Sequence, residues 1–246
     1  PAPPAIYSVL TSSAASDVYK RQWRGRRFGG EGGCRVTETV VLQQFARFPR
    51  VGKVKTRLQA DFSADEVYAV HCELMRQTAQ SLADSGLGAV ELWLDELAPH
   101  PVVEDCGRAA GAELRLQCAG DLGIRMETAL RDALERADVA VLVGSDCPGL
   151  DRDYLRDSVI ALQEAEVVFG PAEDGGFVLV ACRRAVSGMF AGVAWGGPDV
   201  LQGATSSVAE AGLSSACIGA RYDIDTPDDL RRWRQAALRR VLPGPA

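Results

Sequence analysis

From Thr39 onward, short apolar runs alternate with longer amphipathic stretches, whereas residues 1–36 are rich in Pro, Ser, Gly and Arg and follow neither the helical nor the strand period. Such alternation marks β and α elements wound into a mainly parallel sheet. The strand candidates are TVVLQQFA (39–46), AVELWLD (89–95), AELRLQC (112–118), VAVLVGSD (139–146), EVVFGP (166–171), GFVLVAC (176–182) and SSACIGA (214–220). Helices fill the intervals. One is predicted near Ala64, because Ser63 with Glu66 three positions on forms a capping box. Another is predicted from Thr226, with Pro227 at the first helical position and Asp229 facing the positive helix end. The expected organisation is a disordered or non-native extension over 1–36 and one α/β domain over 37–242.

Composition narrows the function classes. The 246 residues are 47% hydrophobic and 24% charged, with a formal net charge of -6, which fits a soluble globular protein. A net negative balance excludes general binding to nucleic acid or a membrane surface, since both need a broad basic face. The seven cysteines, at 34, 72, 106, 118, 147, 182 and 217, form no CxxC pair and are odd in number, so reduced core thiols are expected. No apolar run reaches the roughly 18 residues of a membrane helix. The N-terminal tract lacks the apolar core of a signal peptide, so a cytoplasmic location is expected.

In wound α/β sheets, ligands bind beyond the carboxyl ends of the strands. The loop after the first strand, FARFPRVGKVKTRLQ, sets Arg47, Arg50, Lys53, Lys55 and Arg57 close together in an acidic chain. With Gly52 shaping the turn, Lys53, Lys55 and Arg57, together with Arg47, can surround phosphate oxygens. The same charges could equally make a solvated basic turn. GSDCPGL, Gly144 to Leu150, ends a buried-looking strand in Asp146, and a carboxylate there can hold Mg2+ or Mn2+ together with substrate phosphates. In GPAEDGGFVLV, Glu173 and Asp174 precede Gly175 and Gly176. Those glycines permit a close backbone approach to a ligand, or simply a hairpin turn. YDIDTPDDL offers Asp223 and Asp225 just before a helix, where Asp also serves as an ordinary cap. AGDLGIRM could hold a phosphate or a sugar hydroxyl through Gly120, Asp121, Gly123 and the helix-start amides. His71, within a helix, and His100, beside prolines, are not expected to be catalytic. Neither GxxxxGK[ST] nor a strand-following GxGxxG is present.

The ordered series FARFPRVGKVKTRL, GDLGIRM, GSDCPGL, GPAEDGGFVLV and YDIDTPDDL, spanning about Val40 to Leu238, resembles the radical-SAM/selenodomain-associated transferase family. That family is a glycosyltransferase-like branch of the nucleotide-diphospho-sugar transferase superfamily. The resemblance implies a GT-A, Rossmann-like three-layer sandwich with a mainly parallel central sheet. By the same likeness Lys53, Lys55 and Arg57 meet the nucleotide phosphates, and Asp146 plays the DxD metal role with Asp225 completing the shell. Asp174, Gly175 and Gly176 would line the sugar or acceptor side. Arg47 stands where the family usually has lysine and Phe177 where it has tyrosine, while AWGGPDVL (194–201) lacks the usual Ser/Thr after its tryptophan.

Two reaction classes follow from this resemblance. A metal-dependent glycosyltransferase would pass a sugar from a nucleotide-diphospho-sugar to a small acceptor, with Asp146 and Asp174 as catalytic carboxylates. A nucleotidyltransferase of the guanylyltransferase kind would join an NTP to a phosphorylated small molecule and release pyrophosphate. A non-catalytic nucleotide sensor is the third alternative, although a binder has no need of a metal at the leaving group. The oligomeric state is left open, a homodimer included.

Overall fold

A computed structural model describes residues 38–241, so Cys34 and the extension expected over 1–36 lie outside the described residues. Seven strands form one sheet: β1 Val40–Ala46, β2 Ala89–Leu94, β3 Glu113–Leu116, β4 Val139–Gly144, β5 Val167–Pro171, β6 Phe177–Cys182 and β7 Ser215–Cys217. Among the described residues six α-helices accompany them: α1 Ala64–Ser85, α2 Pro101–Ala110, α3 Leu122–Leu134, α4 Arg152–Ala161, α5 Val200–Glu210 and α6 Pro227–Val241. Each of the seven apolar runs contains one strand. The strand order is β3-β2-β1-β4-β6-β5-β7, and every pairing is parallel except those of β6 with β4 and β5.

The central strands β1, β4, β5 and β6 are covered on both sides, which is why they read as near-continuous apolar runs, whereas the edge strands β3 and β7 are largely exposed. Alternation along β1 shows the two faces. Val41 and Phe45 pack with Met126 and Leu130 of α3 and Val208 of α5, whereas Val40 and Leu42 join Leu82 of α1 and Leu155 of α4. Between them Gln43 and Gln44 are buried as polar residues. Gln43 Nε2 donates to Glu91 Oε2 and to the Ala129 carbonyl, and Gln44 Nε2 donates to the Met75 carbonyl and to Ser145 Oγ. Their Nε2 groups are thereby satisfied from both covering layers, whereas both Oε1 atoms are buried without a partner among the described residues.

The expected caps form. Ser63 Oγ accepts from Glu66 N while Glu66 Oε2 accepts from Ser63 N at 3.0 Å. At α6, Asp229 Oδ2 accepts from Thr226 N at 2.8 Å, so the helix begins at Pro227 with Thr226 as its cap. The six cysteines among the described residues are free thiols, but Cys217 is exposed and Cys118 half-buried, which corrects the expectation that all are core residues. Among the described residues no helix is long and apolar enough to cross a membrane.

Candidate active site

After β1 the chain runs through the basic loop, and two buried apolar side chains, Val54 and Leu58, hold it against the body. Burying Leu58 alone contributes about 1.5–3 kcal/mol. Lys55 lies between these anchors at φ 44°. It is the one non-glycine residue in the left-handed region among the described residues, a conformation that costs about 1–2 kcal/mol. Its ammonium lies 2.8 Å from Asp146 Oδ1 and 3.9 Å from Asp225 Oδ1, and donates to the Ile224 carbonyl at 2.5 Å. With its side chain only 4% exposed, Lys55 is a desolvated cation satisfied by two carboxylates and a carbonyl, which offsets the backbone strain.

The carboxylates come from two chain segments tied together by backbone. Ser145 Oγ donates to the Phe45 carbonyl at 2.9 Å and accepts from Gln44, so the turn after β4 is fixed to β1. The Asp146 carbonyl accepts from Ile224 N at 3.0 Å. Arg221 donates to the Gly149 carbonyl and lies 4.1 Å over the Tyr154 ring, which clamps the far end of the same turn. Burial, then the charges of Asp174, Asp225 and Asp146, push the Asp223 carboxyl up to about 6. Burial likewise raises Asp225, against the opposing pull of Lys55. Asp146, Asp174, Asp223 and Asp225 all line one cleft of about 680 Å³.

The far side of the cleft begins at the β5–β6 hairpin. Asp174 Oδ1 accepts from Gly176 N at 2.9 Å, closing the turn. Gly175 has φ 94°, and a Cβ there would stand 1.8 Å from the Pro198 carbonyl oxygen. Its own carbonyl accepts from Leu201 N at 2.9 Å. This close approach seats the segment carrying Trp195, whose ring lies 6.2 Å from both Phe177 and Phe190. Gly123 of α3 is buried against Trp195 and Phe190.

Of the residues singled out in the sequence, Arg47, Lys55, Arg57, Asp146, Asp174, Gly176 and Asp225 line the cleft. Gly52, Lys53, Gly120, Asp121, Gly123 and Gly175 are outside its lining. Gly52 sits in a turn closed by Lys53 N donating to the Arg50 carbonyl at 3.1 Å, which leaves Lys53 exposed. Asp121 instead caps α3, accepting from Ile124 N at 2.9 Å. Arg50 pairs with Glu96 on the surface. The five cations therefore separate into three in the cleft and two elsewhere.

The structure also brings in residues that the sequence pattern did not mark. Arg125 lines the cleft from the first turn of α3. Its signal was its place in GDLGIRM, where the glycines and helix amides drew attention instead. His71 is buried on α1, with Nε2 3.0 Å from the Arg47 carbonyl, so that nitrogen carries the proton and donates. Burial lowers its pKa, and its role visible here is to hold the Arg47 backbone.

A divalent cation is implied by the family resemblance. Among the described residues no group of three or more His, Cys, Asp or Glu side chains is gathered to hold a metal. The donors that do converge are the oxygens of Asp146 and Asp225 around the Lys55 ammonium. Two carboxylates suit magnesium, which fills its remaining positions with water and substrate phosphate oxygens.

The model of a family described as an uncharacterized protein conserved in bacteria (DUF2064) matches residues 78–197. No protein of curated function matches the chain. Among solved structures, a candidate nucleotide-diphospho-sugar transferase from Desulfovibrio desulfuricans G20 is 26% identical at TM-score 0.72, over 81% of this chain and 88% of that one. A 4-diphosphocytidyl-2C-methyl-D-erythritol synthase from Anaerococcus prevotii DSM 20548 is 9% identical at TM-score 0.56, covering 82% and 97% of the two chains. The inositol-1-phosphate CTP transferase from T. maritima is 12% identical at TM-score 0.51, covering 85% and 98%. The last two are likenesses of fold alone.

Proposed function

We propose that the protein is a metal-dependent, nucleotide-utilising transferase that passes a sugar from a nucleotide-diphospho-sugar to a small acceptor. The observation that carries this reading is the convergence of Lys55, Arg57 and Arg47 with Asp146 and Asp225 in one cleft at the carboxyl ends of β1 and β4. The likeness to the Desulfovibrio protein, described as a candidate for the same superfamily, supports it. The five-motif resemblance supports the radical-SAM/selenodomain-associated branch.

In this reading the diphosphate lies along Arg47, Lys55 and Arg57, which neutralise charge as it develops on the leaving group. Asp146 and Asp225 would hold the magnesium or manganese ion, which when bound supplies Lewis-acid stabilisation of the diphosphate. Asp174, already oriented by Gly176 N, takes the proton of the acceptor hydroxyl. The hydroxyl oxygen then bonds to the anomeric carbon, and the electron pair of the breaking sugar–phosphate bond leaves with the nucleoside diphosphate. Of the five cations of the basic loop, Arg50 and Lys53 are outside the lining of the cleft. The three loop cations that remain, with Arg125 in the other half of the cleft, match a diphosphate better than a triphosphate.

Asp146→Ala tests the reading. Calorimetric titration of the full chain with nucleoside diphosphates in magnesium should show binding that the variant loses. Unchanged affinity in a folded variant contradicts it.

A further inference from the structure

The cleft has two chemically different halves. On one side Lys55 and Arg57 are already paired with Asp146 and Asp225. On the other, Leu122 and Met126 of α3, Phe177 of β6, Trp195 and Val200 form an apolar wall. The cation of that wall is Arg125, half-buried in the cleft lining.

Arg125 is held at one edge. Its Nε donates to the Gly120 carbonyl at 2.9 Å. Gly120 has φ 127°, and a Cβ there would meet Ile124 at 2.9 Å, so the turn that presents this carbonyl needs glycine. No carboxylate pairs with Arg125 among the described residues. A guanidinium set beside apolar side chains loses hydration without gaining a counter-charge, a cost that an incoming anion repays. Its remaining N–H groups form a planar fork that fits a carboxylate or a phosphate monoester bidentately. The rings of Phe177 and Trp195 in the same cleft lining offer stacking area to a flat or apolar body.

We propose that this half of the cleft binds the second substrate, an acceptor with a carboxylate or phosphate on an apolar body, and that Arg125 reads the anionic group. The assignment rests on the transferase reading above, in which the nucleotide diphosphate fills the charged half. Asp174 lines the same cleft, so an acceptor held by Arg125 has a carboxylate available for its hydroxyl proton.

The test uses full-length protein with inorganic pyrophosphate as the probe of the charged half and phenyl phosphate, benzoate and benzyl alcohol as probes of the apolar half. With pyrophosphate saturating, phenyl phosphate or benzoate should still bind and benzyl alcohol should not; the tighter of the two anions identifies the acceptor's charged group. Arg125→Gln should weaken that binding about 10- to 100-fold, the scale of a charge-assisted pair, and Arg125→Lys less. Pyrophosphate affinity should stay within about twofold in both variants, since Arg125 contributes nothing to the other half. Aromatic anions that fail to bind, that pyrophosphate displaces, or that bind Arg125→Gln as well as wild type would overturn the inference. Pyrophosphate that fails to bind wild type would instead sink the nucleotide reading, while Arg125-dependent phenyl phosphate binding in that case would keep the anion site.

Discussion

Lys55 Nζ and Asp146 Oδ1 stand 2.8 Å apart, joining the loop after the first strand to the end of the fourth. The pair defines the charged half of the cleft. Lys55→Met removes the cation shared by Asp146 and Asp225. We expect a loss of about 1–2 kcal/mol in urea unfolding, less than for a fully buried pair because the Asp146 side chain is 43% exposed. Adding Asp146→Asn should recover part of that loss, and strict additivity in the double variant would show that the pair is not coupled.

The separation of the basic loop into cleft and surface cations predicts unequal effects on nucleotide affinity. Lys53→Gln should change the Kd for nucleoside diphosphates by less than about twofold, as expected for an exposed charge. Arg57→Gln should raise it about tenfold, the loss of one charge-assisted contact. Equal effects of the two would return Lys53 to the phosphate site.

Gly175 predicts a backbone effect. Its φ is 94°, and an added Cβ would stand only 1.8 Å from the Pro198 oxygen, so Gly175→Ala must move either the hairpin or the Trp195 segment. A destabilisation of about 1–3 kcal/mol is expected, together with altered Trp fluorescence. A variant as stable as wild type would show that the close approach is not required.

Acid sensitivity is predicted at Glu91, which is 2% exposed on β2. Burial alone would raise its pKa, but hydrogen bonds from Gln43, Trp93 and Arg136 outweigh it and leave the carboxyl below its ordinary value. A depressed folded pKa contributes stability above the unfolded value, and that contribution is lost as the pH falls from about 4.5 through the folded value. Glu91→Gln should cost about 1–2 kcal/mol at neutral pH, because Arg136 loses its buried partner but is itself 40% exposed and keeps Asp132. It should also flatten the fall in stability as the pH drops below about 4.5, and an unchanged pH slope would contradict this.

The central strands were readable because a sheet covered on both faces writes itself as apolar runs, and VVLQQFA shows a local exception. Its two glutamines interrupt the run, yet both are buried by bonds to helices that only the tertiary fold supplies. The capping pairs Ser63–Glu66 and Thr226–Asp229 were readable because they act within one turn of chain. Asp146 and Asp225 were found as strand-end and pre-helix carboxylates, but their meeting at Lys55 depends on chain crossings that no spacing encodes. Lys53 and Lys55 look alike in GKVKTRL, and it is the burial of Val54 and Leu58 that separates them. Arg125 was hidden by a motif whose glycines suggested a phosphate loop, whereas Asp121 there is a helix cap and Gly123 a packing contact.

The central claim is tested most directly by a thermal-shift screen of the full-length protein against the common nucleotide-diphospho-sugars and NTPs, with magnesium or manganese and with chelator. The account predicts a rise in Tm with one nucleotide-diphospho-sugar that chelation removes, corresponding to about 2.7 kcal/mol at a ligand concentration 100 times its Kd. A metal-dependent rise with an NTP alone would contradict glycosyl transfer, and no rise with any nucleotide would contradict the phosphate site itself.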